Sequence, residues 1–218
     1  MEKLIIGSRG SKLALKYAEI AKKAFLKELD IEIEIKKITT EGDLILDRRT
    51  SEIGGKGEFI KNIEKELISK NIDVAVHSLK DVPSIKTKGL KIECFLKRND
   101  PQEVLINKAN LTLDKIKKNS VIGTSSLRRE FQLKHLRPDL KFKLIRGNID
   151  TRIKKLDEDQ YDSIILAKAG LVSLSIENRI SEVFECKKIV PPAGQGTIVL
   201  QSRDCLLYTS PSPRDNTT

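Results

Sequence analysis

Twice along this chain a short apolar run closes on a glycine and then on hydroxyl residues that open a helical pattern. The copies are Ile5-Ile6-Gly7-Ser8-Arg9-Gly10-Ser11 and Val121-Ile122-Gly123-Thr124-Ser125-Ser126. A strand that stops where a helix begins is half of a βα unit, and its return far along the chain requires layered α/β architecture. At such a junction the first N–H groups of the helix lack partners and its dipole is positive, so an anion can be held there. Glycine lets a ligand approach the backbone. Plain N-capping by Ser or Thr uses the same residues and stays open for either copy. Arg9 beside one copy, and Arg128 and Arg129 beside the other, weigh toward an anion, and two such sites on facing lobes would form a cleft.

The remaining pattern supplies the layers. Residues 3–7 read as a strand and 11–29 as an amphipathic helix with Leu13, Tyr17, Ala21, Ala24 and Phe25 inward. Ile31, Ile33 and Ile35 mark a half-buried strand, and the polar, Gly-bearing stretch 47–57 reads as a mobile loop. A helix over 58–69 turns Phe59, Ile63 and Leu67 inward, and strands follow at 72–76 and 90–96. After Lys97-Arg98-Asn99-Asp100-Pro101, a hinge candidate, strands are expected at 103–106, 120–123, 141–145 and 162–167. Helices are expected near 112–118, 125–136, 149–157 and 170–180, and the alternation implies parallel layers. Pro191 to Gly196 makes a second break before a strand at 197–201. The expected organisation is a first lobe at 1–96, a second at 97–192, an incomplete return crossing at 193–204, and an unstructured tail, read as foreign, at 205–218.

Composition narrows the function. Three cysteines (Cys94, Cys186, Cys205), widely spaced, form neither a disulfide framework nor a CxxC metal site, which points to a reducing, cytoplasmic setting. No apolar run approaches the ~20 residues of a membrane span, and the N-terminus does not read as a secretory signal. The net charge is +10, from 29 Lys and 12 Arg against 31 acidic residues, and the two cations are distributed differently. Lysines are scattered over helices, whereas Arg9, Arg128, Arg129, Arg146 and Arg152 gather at strand ends. A planar guanidinium fork suits carboxylates and phosphates, so this placement suggests a polyanionic ligand, with nucleic acid and a small polycarboxylate as the candidates. With only 4% aromatic residues and no RNP or zinc-finger pattern, nucleic-acid modules have no support.

The densest cluster of reactive side chains is Val76-His77-Ser78-Leu79-Lys80-Asp81-Val82-Pro83, at the carboxyl end of a buried strand, where open α/β sheets bind ligands. Asp81, restrained near Pro83, can stabilise a developing cation or exchange a proton with a substrate nitrogen; a turn-capping Asp is the plainer alternative. His77 reads as a packed, hydrogen-bonded residue and His135 as a surface one. No GxSxG, P-loop or HExxH pattern occurs, and no metal site is expected.

Seven segments in uninterrupted order, from residue 3 to about 203, resemble the porphobilinogen deaminase (hydroxymethylbilane synthase) family. They are Gly7 to Leu15, Thr40-Glu41-Gly42-Asp43, Gly54-Gly55-Lys56-Gly57, His77 to Pro83, Gly123 to Arg129, Arg146-Gly147-Asn148 with Thr151-Arg152, and Pro192 to Gly196. The resemblance implies two lobes like a type II periplasmic binding protein, α/β with a cleft between them, and a third α+β domain in the family that this chain does not reach. It implies head-to-tail condensation of porphobilinogen with release of ammonia, in tetrapyrrole and haem biosynthesis. It also implies a dipyrromethane cofactor held by a cysteine thioether; none of the three cysteines here matches that attachment motif.

By residue match Asp81 is the catalytic carboxylate. Arg9, Ser11, Lys80, Arg128, Arg129, Arg146, Gly147 and Arg152 bind acetate and propionate groups of cofactor and growing polypyrrole, and Ser78, Thr124, Ser125 and Ser126 add hydrogen bonds. Lys56 belongs to a loop over the cleft and Gln195 to the interdomain crossing. Each pyrrole brings two carboxylates, which accounts for arginines at strand ends. The expected molecule is a cytoplasmic monomer without nucleic-acid or membrane partners, a fragment without turnover of its own. The alternatives are a non-catalytic two-lobe binder of a small polycarboxylate and a basic nucleic-acid protein.

Overall fold

The structure, a computed structural model, describes residues 3–40, 57 and 60–204. Two five-stranded sheets carry the chain. The first is built from β1 (Lys3–Arg9), β2 (Glu32–Ile38), β3 (Val74–Ser78) and β4 (Leu90–Phe95), with α1 (Lys12–Phe25) and α2 (Lys61–Ile68). The second contains β5 (Glu103–Ile106), β6 (Val121–Gly123), β7 (Lys141–Lys143), β8 (Ser163–Ala167) and β9 (Glu182–Phe184), with α3 (Leu127–Leu136), α4 (Ile149–Asp157) and α5 (Lys168–Ser173). The last strand, β10 (Ile198–Arg203), returns to the first sheet. The strand orders are β2-β1-β3-β10-β4 and β7-β6-β8-β5-β9.

Period-two alternation explains why helices cover both faces of each sheet. In β3, Val74 and Val76 join Ile6, Tyr17, Ala18 and Ala21 under α1, while Ala75 faces Ile63 and Leu67 of α2. In the second sheet Val104, Ile106, Ile164 and Leu166 pack with Ile153 and Leu156 of α4. Leu105, Ile122 and Ile165 pack on the other side with Leu133 of α3.

The sheets are mixed rather than wholly parallel. β1 runs parallel to β2 and β3, and β6 parallel to β7 and β8. However, β10 is antiparallel to β3 and β4, and β5 to β8 and β9. Both exceptional strands are entered through the crossings at 97–102 and 193–197 rather than from a helix of their own lobe. The helical crossover that makes neighbouring strands parallel is therefore missing there. The crossings pair with each other: Asn99 N–H donates to Gly196 O at 2.8 Å and Leu96 N–H to Ile198 O at 3.0 Å. Gly196 has φ +83°, and a Cβ would lie 2.3 Å from Asn99 O, so only glycine fits this contact.

Other expectations are corrected locally. The helix expected at 112–118 is a single 3-10 turn, Leu113–Lys115, closed by Lys115 N–H to Thr112 O at 3.0 Å and ended by the extended backbone of Ile116, whose side chain enters the core with Leu113. The helix expected at 170–180 begins at Lys168 and ends at Ser173, and Ser175 at φ 56° separates it from a 3-10 turn, Glu177–Arg179. β7 stops at Lys143, and β9 is short enough to have escaped the sequence pattern. The first helix ends at Phe25 rather than 29. The loop expected at 47–57 (apart from Gly57), Phe59 and the tail expected at 205–218 lie outside the described residues.

Candidate functional site

A cleft of about 590 Å³ opens between the two sheets. One wall comes from the end of β1, the first turns of α1, and the 3-10 turn Leu79–Asp81 that follows β3; the other comes from the starts of α3 and α4. Of the residues singled out from the sequence, Arg9, Ser11, Ser78, Lys80, Asp81, Ser125, Ser126, Arg128, Arg129, Arg146, Gly147, Arg152 and Gln195 all line it. Thr124 does not: it is buried beneath the rim, and its Oγ1 accepts from Ser126 N–H at 3.2 Å. Lys56 lies outside the described residues.

Asp81 ends its turn under a backbone bond, Val82 N–H to Leu79 O at 3.1 Å, so the turn closes without the aspartate side chain. Among the described residues no hydrogen bond or ion pair is made by its carboxylate. Its charge instead acts on its surroundings. Burial lowers the Lys80 ammonium below the usual lysine range, partly offset by Asp81. Lys80 Nζ donates to Gln195 Oε1 at 3.3 Å. Burial raises the Tyr17 phenol, and Asp81 adds to that.

Burial lowers Arg152 to about 10, and the positive charges of Arg129 and Arg146 add to the effect. Its Nε donates to Gly147 O at 2.8 Å, across the glycine's positive-φ turn. Three guanidinium groups gathered here, Arg129 and Arg146 buried and Arg129 paired with Glu103, make this wall of the cleft positive.

Ser11 and Ser126 are both N-caps. Ser11 Oγ accepts from Ala14 N–H at 3.3 Å and Ser126 Oγ from Arg129 N–H at 3.4 Å. Each cap leaves its hydroxyl proton available to an acceptor in the cleft. The glycines correct the sequence reading. A Cβ at Gly7 would stand 2.2 Å from Ile72 Cδ1, and one at Gly123 would stand 2.8 Å from Tyr161 Cδ1. They serve close packing behind the strands rather than approach of a ligand.

His77 is buried, and its Nε2 lies 3.0 Å from Gln201 Oε1. The Gln201 amide donates to Glu64 at 2.7 Å, which turns its oxygen to the imidazole and makes Nε2 the donor. Burial lowers the ring to about 4, so it is neutral and structural. His135 is exposed on α3.

Sequence reasoning missed Glu103. It is fully buried at the start of β5, its Oε2 accepting from Arg129 Nη2 at 2.7 Å and its Oε1 from Arg128. Burial works to raise its carboxyl, but the arginine charges prevail and it stays below the usual range. Arg128 also donates to Val190 O, at the root of the second crossing. The available signal was a charge opening an otherwise apolar strand, Glu103-Val104-Leu105-Ile106. Also missed were contacts closing the cleft: Lys12 to Asp150 at 3.2 Å, and the Tyr17 phenol with Ser173.

Residues 4–205 match the family described as porphobilinogen deaminase, dipyromethane cofactor binding domain. Proteins named porphobilinogen deaminase from Bacillus thuringiensis and Bacillus anthracis are 46% identical over 206 residues, covering 94% of this chain and 67% of theirs. Among solved structures, the BvgS VFT2 domain of Bordetella pertussis aligns with a TM-score of 0.52 at 15% identity, covering 92% of this chain and 79% of that one. The ligand-binding component of an ABC-type import system from Staphylococcus aureus gives 0.53 at 14%, covering 96% and 68%. These likenesses define the fold: two periplasmic-binding-type lobes.

Proposed function

The chain belongs to the porphobilinogen deaminase family of hydroxymethylbilane synthases, transferases of tetrapyrrole biosynthesis, and we propose that its cleft binds porphobilinogen and the growing polypyrrole with Asp81 as the catalytic carboxylate. The observation that carries this reading is the Asp81 carboxylate, without a hydrogen bond or ion pair among the described residues, in a cleft whose other charged residues are Arg and Lys apart from Asp150, which is paired with Lys12. A site made only to hold polyanions gains nothing from a negative charge there. A reaction that expels ammonia from an aminomethylpyrrole does: the departing amine leaves a cation spread over the pyrrole, which a fixed carboxylate stabilises. Joining to the next pyrrole releases a proton, and the same carboxylate can take it.

The donor set fits the dipyrromethane of the family. Arg129 Nε is buried without a partner, and the surrounding donors are guanidinium and hydroxyl groups matched to carboxylates. Arg9, Arg146 and Arg152, with Ser11, Ser78, Ser125 and Ser126, would hold its acetate and propionate groups. When bound, it supplies the free pyrrole carbon to which the first unit is joined. Lys80 and Gln195 anchor the floor beside Asp81, and Gln195 reaches Pro101 O at 2.6 Å across the crossings.

The division into lobes at 1–96 and 97–192, with 193–204 returning to the first, is supported by which strands build each sheet. A cytoplasmic monomer without nucleic-acid or membrane partners completes the reading. Among the described residues no helix is long and apolar enough to cross a membrane.

Calorimetric titration tests the proposal. Porphobilinogen should bind saturably, and Asp81→Asn should weaken it by about tenfold, the scale of one lost charged contact. A dicarboxylate lacking the aminomethyl group should bind the variant no worse than the wild type. Equal loss for both ligands, or for neither, removes Asp81 from the role and leaves a plain polycarboxylate binder.

A further inference from the structure

Among the described residues Glu103 is the one fully buried carboxylate, and it lies behind the cleft's second wall on an internal strand, between β8 and β9. Its two oxygens are divided between adjacent arginines: Oε1 accepts from Arg128 and Oε2 from Arg129 at 2.7 Å. Arg129 is held a second time, Nη1 to Ile165 O at 3.1 Å on β8. Its remaining Nε is buried, unpartnered and part of a side chain that lines the cleft. Two neighbouring guanidinium groups on the first turn of α3 would otherwise repel each other and turn apart toward water. One buried carboxylate between them forces both forks to a single orientation and leaves the trio with one net positive charge.

We propose that Glu103 is a positioning residue for the established chemistry of this family: it aims Arg128 and Arg129 at the carboxylates of the pyrrole substrate. It does not touch the substrate itself. The inference rests on the reading of the cleft as a porphobilinogen site. The orientation and the charge of Glu103 make opposite predictions. If its charge alone mattered, neutralising it would add a net positive charge to the cleft and tighten anion binding. If it positions, neutralising it releases the two forks and loosens binding.

The test compares wild type, Glu103→Asp and Glu103→Gln in porphobilinogen calorimetry, with phenylglyoxal modification of Arg128 and Arg129 mapped by mass spectrometry and cooperative melting as the control for folding. The expected result is about tenfold weaker binding for Glu103→Gln, several-fold faster modification of both arginines, and recovery of most of the affinity and protection in Glu103→Asp. Unchanged or tighter binding by a folded Glu103→Gln overturns the proposal, as does unchanged arginine protection. Should the wild type fail to bind porphobilinogen, the functional reading falls, while arginine protection still decides whether Glu103 positions the pair. If Glu103→Gln does not fold, wild-type side-chain NMR decides: hindered rotation at the Arg129 guanidinium is expected, and a freely averaged signal overturns it.

Discussion

At the residue scale, His77 and Asp81 show how four positions separate a structural group from a reactive one. His77 is the penultimate residue of a strand buried on both faces; its ring meets Gln201 and is held neutral. Asp81 lies past the strand end, where the turn's own backbone bond leaves its carboxylate to the cleft. The shift of His77 from 6.5 to about 4 has a consequence for stability. Between those values the unfolded chain takes up a proton that the folded chain refuses, so stability is full above the unfolded value and declines as pH falls toward 4. Urea unfolding should therefore show a loss of about 3 kcal/mol from pH 7 to pH 4 attributable to this ring. His77→Asn should remove that share of the slope; an identical pH profile for the variant would show that the ring is not buried neutral.

At the element scale, the crossings and β10 do the work that no single lobe contains. Gly196 sits at φ +83° against Asn99 O, so Gly196→Ala should cost ~2 kcal/mol in unfolding experiments. Gly10, where a Cβ meets nothing within 4 Å, is the matching neutral control. β10 is tied at its end by Arg203, which donates to Leu67 O at 2.8 Å, to Ile72 O at 2.6 Å and to Asp73 Oδ1 at 3.0 Å. Arg203→Ala should cost about 2 kcal/mol or more, since two carbonyls and a carboxylate lose a shared donor. Hydrogen exchange should then quicken in β10 and β4 before it does in the second sheet; uniform quickening would contradict the local role. Elements with a clear period, such as the amphipathic α1 and the alternating isoleucines of β2, are legible in the sequence. β9 is not, because three residues carry no period and its strand character comes from pairing with β5.

At the scale of the whole molecule, the cleft spans both lobes, so a ligand there should stabilise them together. Citrate at a hundred times its dissociation constant should add about 2.7 kcal/mol, read as one cooperative melting transition moved upward. Molar salt should reduce the shift by screening the arginines. Two transitions, only one of them displaced, would place the anion site within a single lobe.

The sequence by itself determined the layers and the two strand–glycine–hydroxyl junctions, because side-chain period and the short βα turn are local properties; the cleft-lining residues it named came from resemblance to the family's motifs rather than from period. It could not show that Gly7 and Gly123 serve packing rather than a ligand, since that depends on Ile72 and Tyr161 arriving from elsewhere in the chain. Nor could it show which arginines are already engaged. Arg128 and Arg129 look like free anion binders in one dimension, and only the tertiary structure sets Glu103 between them. Strand direction was likewise decided by the crossings, whose pairing brings β5 and β10 in against the parallel order of their neighbours. Contacts between residues far apart in sequence leave no period to read, and here it is they that determine how the charges of the cleft are aimed.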